Sequence, residues 1–231
     1  MTFSAAINNC RYHEKNYTRS DIKNDLKVIQ VAGLSKDGIF SILHAATWAW
    51  TENRDIFDKA KKDTVSKQAK FKGCIYWTEN AFKSKENLLK NGAPGKDVAS
   101  DLRHEHIVPQ KVFKDAIEKY YNEGTLSKNL QIIQTAMEEN LIGCVVTTNE
   151  ADLLDKKPNR YRQTMPPPYD PDKCDLCKIK DHWARYKYTK NDKHINALGT
   201  FSNNIYELEW SAPNTKKGCW KFVKIKQIIP L

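Results

Sequence analysis

The segment 101–109, with the sequence DLRHEHIVP, places the strongest constraint on how this chain can fold. His104, Glu105 and His106 are consecutive, and two β-branched residues and Pro109 follow at once. Proline cannot donate a backbone hydrogen bond to a sheet, so the segment predicts a strand that ends abruptly. The strand ends with a carboxylate and an imidazole close together. On an extended strand His104 shares a face with His106, and Glu105 lies on the opposite face.

Helical segments, a second strand and a further helix follow this strand along the chain. Residues 110–139 have the apolar spacing of helices, and the β-branched run LIGCVVTT at 141–148 predicts a buried strand. The sequence NEADLLD at 149–155 has a capping-type Asn or Thr at its start and acidic residues in its first turn, which predicts the start of a helix.

The flanking regions add helices and a hairpin to this pattern. Apolar periodicity predicts helices within residues 20–62, and a short strand is expected around 74–77. The basic and aromatic segment 181–190 predicts a short helix. Alternating residues on both sides of a Pro-Asn/Gly turn in 205–229 predict a β-hairpin. We therefore expect an α+β protein with a helical N-terminal region and a C-terminal β-hairpin.

The charge balance favours a polyanionic partner. The 231 residues include 38 Lys and Arg against 28 Asp and Glu, which leaves a formal net charge of +10. A nucleic-acid backbone is the commonest partner for such a surplus, and the alternative is a basic surface that only confers solubility. The length permits a sizeable core.

The sequence also bears on the expected compartment. The first residues have no apolar core long enough for a signal peptide, and no run approaches the ~20 apolar residues of a membrane-spanning helix. Six cysteines in a chain of this length do not form a dense disulfide framework. We expect a reduced, cytoplasmic protein that does not contact a membrane.

Three groups of residues in this strand–strand–helix order resemble the HNH (ββα-metal, His-Me finger) endonuclease superfamily. They are Glu105–Pro109, Asn140-Leu141 and Asn149. The resemblance implies a ββα-metal core in which Glu105 and Asn149 bind one divalent cation. It further implies that His106 is the general base and that Asn140 orients the histidine or its loop. Asn129 is an alternative to Asn140.

The chemistry of phosphodiester hydrolysis requires residues of these types. A histidine whose pKa is near neutrality can remove a proton from water. A hard cation such as Mg²⁺, or Mn²⁺ in its place, prefers oxygen ligands and keeps open positions for phosphate and water. Asp152 is a rival or additional ligand. His104 is either a helper that contacts phosphate or an ordinary exposed strand histidine.

Two further groups of residues are candidates for binding. Cys174 and Cys177 have metal-knuckle spacing and could complete a structural Zn²⁺ site with Cys10 and His13; small buried cysteines are the alternative. The helix at 181–190 carries cations that could contact phosphates, with aromatic residues between them that could stack on bases or form the core face of the helix. The candidate nucleic-acid contacts are Arg185, Lys187 and Lys190.

Taken together, these features predict a metal-dependent endonuclease that hydrolyses DNA, selective for sequence or modification and of the restriction or defence type. The alternatives are a homing endonuclease, an RNase, and a non-catalytic nucleic-acid-binding protein with a degenerate core. We expect an accessory recognition region at 1–98, the core with a helical insertion at 99–160, and a C-terminal accessory region at 161–231. Double-strand cleavage by one site per chain requires a homodimer or two successive nicks.

Overall fold

The protein is described here by a computed structural model, which shows a mixed α+β chain with helices around one sheet. The described residues are 24, 35–39, 41–42, 74, 76–90, 101–155, 161, 163–167, 169, 176, 179, 181–193, 199–211 and 221–230. The elements, in chain order, are β1 Tyr76–Thr78, α1 Glu79–Lys90, β2 Leu102–His106, α2 Gln110–Asn122, α3 Leu126–Asn140, β3 Gly143–Thr147, α4 Thr148–Asp155, α5 Ala184–Asn191, β4 Asn204–Ser211 and β5 Lys221–Pro230.

The described strands form one five-stranded sheet in the order β2-β3-β1-β4-β5. β1 and β3 pair in parallel, and the other neighbouring strands pair antiparallel. β1 comes from the region predicted as N-terminal and accessory, and β4 and β5 come from the region predicted as C-terminal and accessory. The sheet therefore runs across the predicted boundaries at residues 98 and 160.

The two faces of the sheet are covered by different helices. On the first, here called the α4/α5 face, Cys144 and Val146 pack with Leu153 and Leu154 of α4, with Trp183 at the start of α5 and with Tyr186 of α5. On the second, the α1 face, Val145 and Leu102 pack with Trp77 and with Ala81 and Phe82 of α1. Every residue of β3 is buried, as expected for a β-branched strand inside a sheet.

The α2–α3 hairpin, inserted between β2 and β3, has a core of its own. Pro109 ends the extended segment and caps α2, and its carbonyl accepts a hydrogen bond from the Val112 amide at 3.0 Å. Gly124 has φ 65°, a left-handed conformation that glycine adopts without strain, and it lies where the chain reverses from α2 to α3. Buried apolar residues then line the contact between the helices: Val112, Phe113, Ile117, Leu130, Ile133 and Met137.

Several sequence predictions are confirmed and one element was missed. The helices within 110–139, the strand in LIGCVVTT, the helix that follows it, the helix in 181–190 and the C-terminal hairpin are all present. α1 was not predicted from the sequence. Of the helices predicted within 20–62, the described residues 24, 36–39 and 41–42 are helical, and the remainder of that range lies outside the described residues. No described helix is long and apolar enough to cross a membrane.

The start of α4 is fixed by a reciprocal pair of hydrogen bonds between Thr147 and Glu150. The Glu150 amide donates to Thr147 Oγ1 at 3.2 Å, and the Thr147 amide donates to Glu150 Oε2 at 3.0 Å. This is the capping-box arrangement, in which the sequence Thr-x-x-Glu satisfies two amides that the helix leaves without partners.

The fully buried Glu150 carboxylate also joins α4 to four other parts of the chain. Its Oε2 accepts hydrogen bonds from the hydroxyls of Thr78 and Thr147, at 2.6 and 3.2 Å. Its Oε1 accepts from Asn80 Nδ2 at 3.1 Å and from the amide and hydroxyl of Ser202 at 3.0 and 2.5 Å. β1, the start of α1, the end of β3 and the segment before β4 therefore meet at one carboxylate.

We predict that Glu150→Gln destabilises the protein by about 2–4 kcal/mol. Glutamine keeps the shape but turns one acceptor oxygen into an NH₂ group that faces buried donors. Urea unfolding followed by circular dichroism would measure the shift of the midpoint. Glu139→Gln, an exposed change on α3, is the control and should stay within about 0.5 kcal/mol. Equal midpoints for the two variants would show that the Glu150 network does not stabilise the fold.

Candidate active site

The two histidines of β2 lie side by side on the α1 face of the sheet. Their rings stack, with centroids 5.3 Å apart and an interplanar angle of 28°. His104 pairs across the ladder with Val145, and His106 pairs with Gly143. Both histidines are buried, at 6% and 7% exposure. The expectation that they share a face is confirmed, whereas the alternative of an exposed His104 is wrong.

Glu105 points to the α4/α5 face, away from His106. It pairs across the ladder with Cys144, and residues directly opposite in an antiparallel pair share a face. Its Oε2 accepts a hydrogen bond from Arg185 Nη2 at 3.0 Å, and this bond links the edge strand β2 to α5. The side chain of Arg185 is 1% exposed and that of Glu105 is 30% exposed.

This ion pair corrects the predicted role of Arg185. A side chain that is 1% exposed has no surface to offer a phosphate, so Arg185 is not a surface contact for nucleic acid. Its guanidinium also lies 5.5 Å from the centre of the Tyr186 ring. The aromatic residues of α5 explain the burial, because Trp183 and Tyr186 belong to the core of the α4/α5 face. Of the two alternatives for these aromatic residues, the core face of the helix is confirmed.

The predicted contacts Lys187 and Lys190 lie on the same helix, but their side chains are partly exposed. Lys187 forms an ion pair with Asp181 at 2.8 Å, and both side chains reach solvent. Tyr188, on the exposed side of α5, is 45% exposed and meets Tyr161 edge-on. A large partner can reach these side chains, whereas it cannot reach Arg185.

Asn140 is buried at the last position of α3, close to the end of β2. Two residues later, the carbonyl of Ile142 accepts a hydrogen bond from the amide of Ile107, the residue after His106, at 2.8 Å. Asn129 is near the first turn of the same helix, where its Nδ2 donates to the Thr125 carbonyl. The 11 positions between the two asparagines span about 16 Å of helix, so Asn140 is the one near His106.

Asn149 lies at the far end of the β2–β3 ladder from Glu105. α4 begins where β3 ends, and Thr147 there pairs with Leu102, three positions before Glu105. At about 3.3 Å per residue this separates the two levels by about 10 Å along β2. The exposed Asn149 packs against the Gly199 backbone, where an added β-carbon would lie 3.1 Å from Asn149 Nδ2. Asp152, one turn further along α4, is also exposed.

The residues assigned to a shared divalent cation therefore do not fit one. Of these two residues, Glu105 is bonded to Arg185 and Asn149 is at the other end of the ladder; the predicted base His106 is on the other face of the sheet. Among the residues described, no group of three or more His, Cys, Asp or Glu side chains could hold a metal ion. Dependence on Mg²⁺ or Mn²⁺ stays a prediction. Cys174, Cys177, Cys10 and His13 lie outside the described residues, so the Zn²⁺ site also stays a prediction.

Burial sets the charge state of the groups around Arg185. Burial raises the pKa of the Tyr186 phenol and of the Cys144 thiol well above their ordinary values, so both stay protonated and neutral. Burial also lowers the pKa of His182, which precedes α5. The carboxylate of Glu105, to which the guanidinium is bonded, compensates the buried charge.

Sequence reasoning missed two features of this region. One is the Glu105–Arg185 bond, which joins residues 80 positions apart. The other is Arg103, an exposed cation two residues before Glu105 and on the same face of β2. The alternation of a strand could have identified Arg103, but nothing in the sequence identifies the partner of Glu105.

We predict that Arg185→Met destabilises the protein by about 1–3 kcal/mol, because the change removes a buried ion pair whose carboxylate is only partly enclosed. Lys187→Met, on the same helix, removes a surface ion pair and should change stability by less than about 0.5 kcal/mol. Urea unfolding of the two variants makes the comparison. If both variants have the same urea midpoint as the wild type, the ion pair of Arg185 with Glu105 does not stabilise the fold.

Comparisons with protein-family models, with curated proteins and with solved structures find no match to this chain.

Proposed function

We propose that the protein is an endonuclease that hydrolyses phosphodiester bonds of DNA, in a restriction or other defence role. One observation carries the proposal. Glu105 and His106 end an edge strand whose antiparallel partner, β3, leads directly into α4. Apart from the inserted α2–α3 hairpin, this order is similar to the ββα order of the HNH superfamily, which the sequence of this segment resembles. The formal charge of +10 supports a polyanionic substrate.

In the proposed reaction, His106 accepts the proton of the attacking water. Neutral imidazole is the side chain best suited to this at neutral pH. The buried Asn140 lies near the end of β2 and restricts the movement of the strand end that carries His106. The cations Arg103, Lys187 and Lys190 lie on the α4/α5 side, opposite the face that carries His106, and provide charge for DNA phosphates other than the one that is attacked. Cleavage of both strands by one site per chain would require two copies or two successive nicks.

A second candidate is a nucleic-acid-binding protein with an inactive core. The observation that favours it is the separation of Glu105, His106 and Asn149, which the resemblance assigns to one centre. Such a protein would bind DNA with the same dependence on salt but would leave the DNA intact.

We predict that the wild type converts supercoiled plasmid to nicked or linear DNA and that His106→Asn slows this by about 10²–10⁴-fold, the usual contribution of a general base. The reactions would contain Mg²⁺, Mn²⁺ or EDTA, with labelled RNA in parallel. His182→Asn, a partly buried histidine before α5, is the matched control and should retain the wild-type rate. Circular dichroism would check that the variants are folded.

Each outcome has a separate meaning. Equal rates for wild type and His106→Asn would exclude His106 as the base. Intact DNA and RNA under every condition would favour the inactive binding protein, and cleavage of RNA alone would identify an RNase.

We predict that Lys187→Ala and Lys190→Ala each weaken binding to a short labelled DNA duplex and each reduce the slope of log K against log salt concentration by about 1, because each removes one phosphate contact. Fluorescence anisotropy at several salt concentrations would measure the slope. Lys128→Ala, an exposed change on α3, is the control. A slope that changes as much for Lys128→Ala as for the α5 variants would show that α5 is not the binding surface.

A further inference from the structure

The buried cation Arg185 has no evident place in the reaction that the resemblance implies. Its side chain is 1% exposed, and a buried charge is costly unless an opposite charge compensates it. Within the described part of the chain, its Nε has no hydrogen-bond partner. The Glu105 carboxylate compensates the charge of Arg185, because its Oε2 accepts a hydrogen bond from Arg185 Nη2 at 3.0 Å.

Among the neighbours of Arg185 that the structure describes, none provides another anion. Tyr186 and Cys144 stay neutral because burial raises the pKa of each. The Glu150 carboxylate is engaged by the donors of Thr78, Asn80, Thr147 and Ser202. Arg185 therefore depends on Glu105 for its counter-charge, and the guanidinium constrains the orientation of the carboxylate.

This bond conflicts with a metal ion at Glu105. A divalent cation on that carboxylate would lie within a few ångströms of the guanidinium, and like charges at such distances repel strongly in a partly buried site. Arg185 cannot move into solvent without opening the packing of Trp183, Tyr186 and Leu153 on the α4/α5 face.

In addition to its ladder with β3, the end of β2 that carries His106 is held from two sides. On one side the Ile107 amide donates to the Ile142 carbonyl, next to β3, and on the other side Arg185 holds Glu105 from α5. We propose that Arg185 is a positioning residue: it holds the Glu105 carboxylate and thereby the catalytic end of β2, and Glu105 is not a metal ligand. The catalytic part of this inference rests on the proposed function.

The test of positioning compares four variants in the plasmid assay: Glu105→Gln, Arg185→Met, Arg185→Lys and the double variant Glu105→Gln/Arg185→Met. Misplacing a reacting group by about 1 Å costs about 10²-fold, so both charge-removing single variants should lower kcat by roughly that factor, with KM nearly unchanged. The double variant should be no slower than the slower single variant, because both changes break the same bond. Arg185→Lys, which keeps the charge, should recover part of the rate.

The inference would be overturned if the loss of kcat in the double variant equalled the product of the two single losses. It would also be overturned if Arg185→Lys were no faster than Arg185→Met. If Arg185→Met does not fold, Glu105→Gln and Arg185→Lys still provide the comparison, because Glu105 is partly exposed. Glu139→Gln is the matched control for the carboxylate change.

Two measurements do not depend on cleavage. Binding of Mn²⁺, followed by electron paramagnetic resonance, should differ by less than about twofold between wild type and Glu105→Gln, whereas removal of a true ligand usually costs tenfold or more. A tenfold or greater loss of Mn²⁺ affinity in Glu105→Gln would show that Glu105 is a ligand. Urea midpoints of the four variants should also be non-additive, and additive shifts would show that the two residues act independently. If the wild type cleaves no substrate, the proposed function is rejected. The Mn²⁺ affinities and the urea midpoints would still test the ion pair between Glu105 and Arg185.

Discussion

The carboxylate of Glu150 is the interaction on which the rest of the structure depends. It is fully buried, and each of its oxygens accepts hydrogen bonds from side chains or amides of different elements. Through it the parallel pair β1–β3, the first turn of α4 and the segment before β4 are held at one point. A carboxylate in this position would be very costly without its donors, so the elements that supply the donors must assemble together.

This constraint also decides the geometry of the candidate site. Thr147 and Glu150 cap α4 at the end of the ladder where Thr147 pairs with Leu102. Asn149, in the first turn of α4, therefore cannot approach Glu105 unless the capping box is lost. Glu105 is instead held from α5 by Arg185. The two fixed carboxylates differ in their surroundings. Glu150 is enclosed by neutral donors, whereas Glu105 is paired with a cation and partly reaches solvent.

Local patterns were sufficient for most elements, because each depends on neighbours in sequence. The β-branched run of β3, the apolar spacing of α2 and α3, and the alternation of the C-terminal hairpin all gave correct predictions. α1 was missed because polar residues dominate its sequence, ENAFKSKENLLK, and its helix is stabilised by packing of Ala81 and Phe82 on the sheet. The parallel pairing of β1 with β3 joins residues 68 positions apart, such as Tyr76 and Cys144, and no local pattern reports it.

The sequence alone determined the α+β class, the abrupt end of β2 just before Pro109, and the alternation that separates Glu105 from the two histidines. These follow from backbone sterics and from the period of a strand, which are local. Only the tertiary structure decided that Arg185 is a buried partner of Glu105 and that Asn149 is remote from it. The physical reason is that burial and charge pairing depend on which elements pack together. A charged residue on a short helix has the same local pattern whether its neighbours are solvent or a carboxylate on a distant strand.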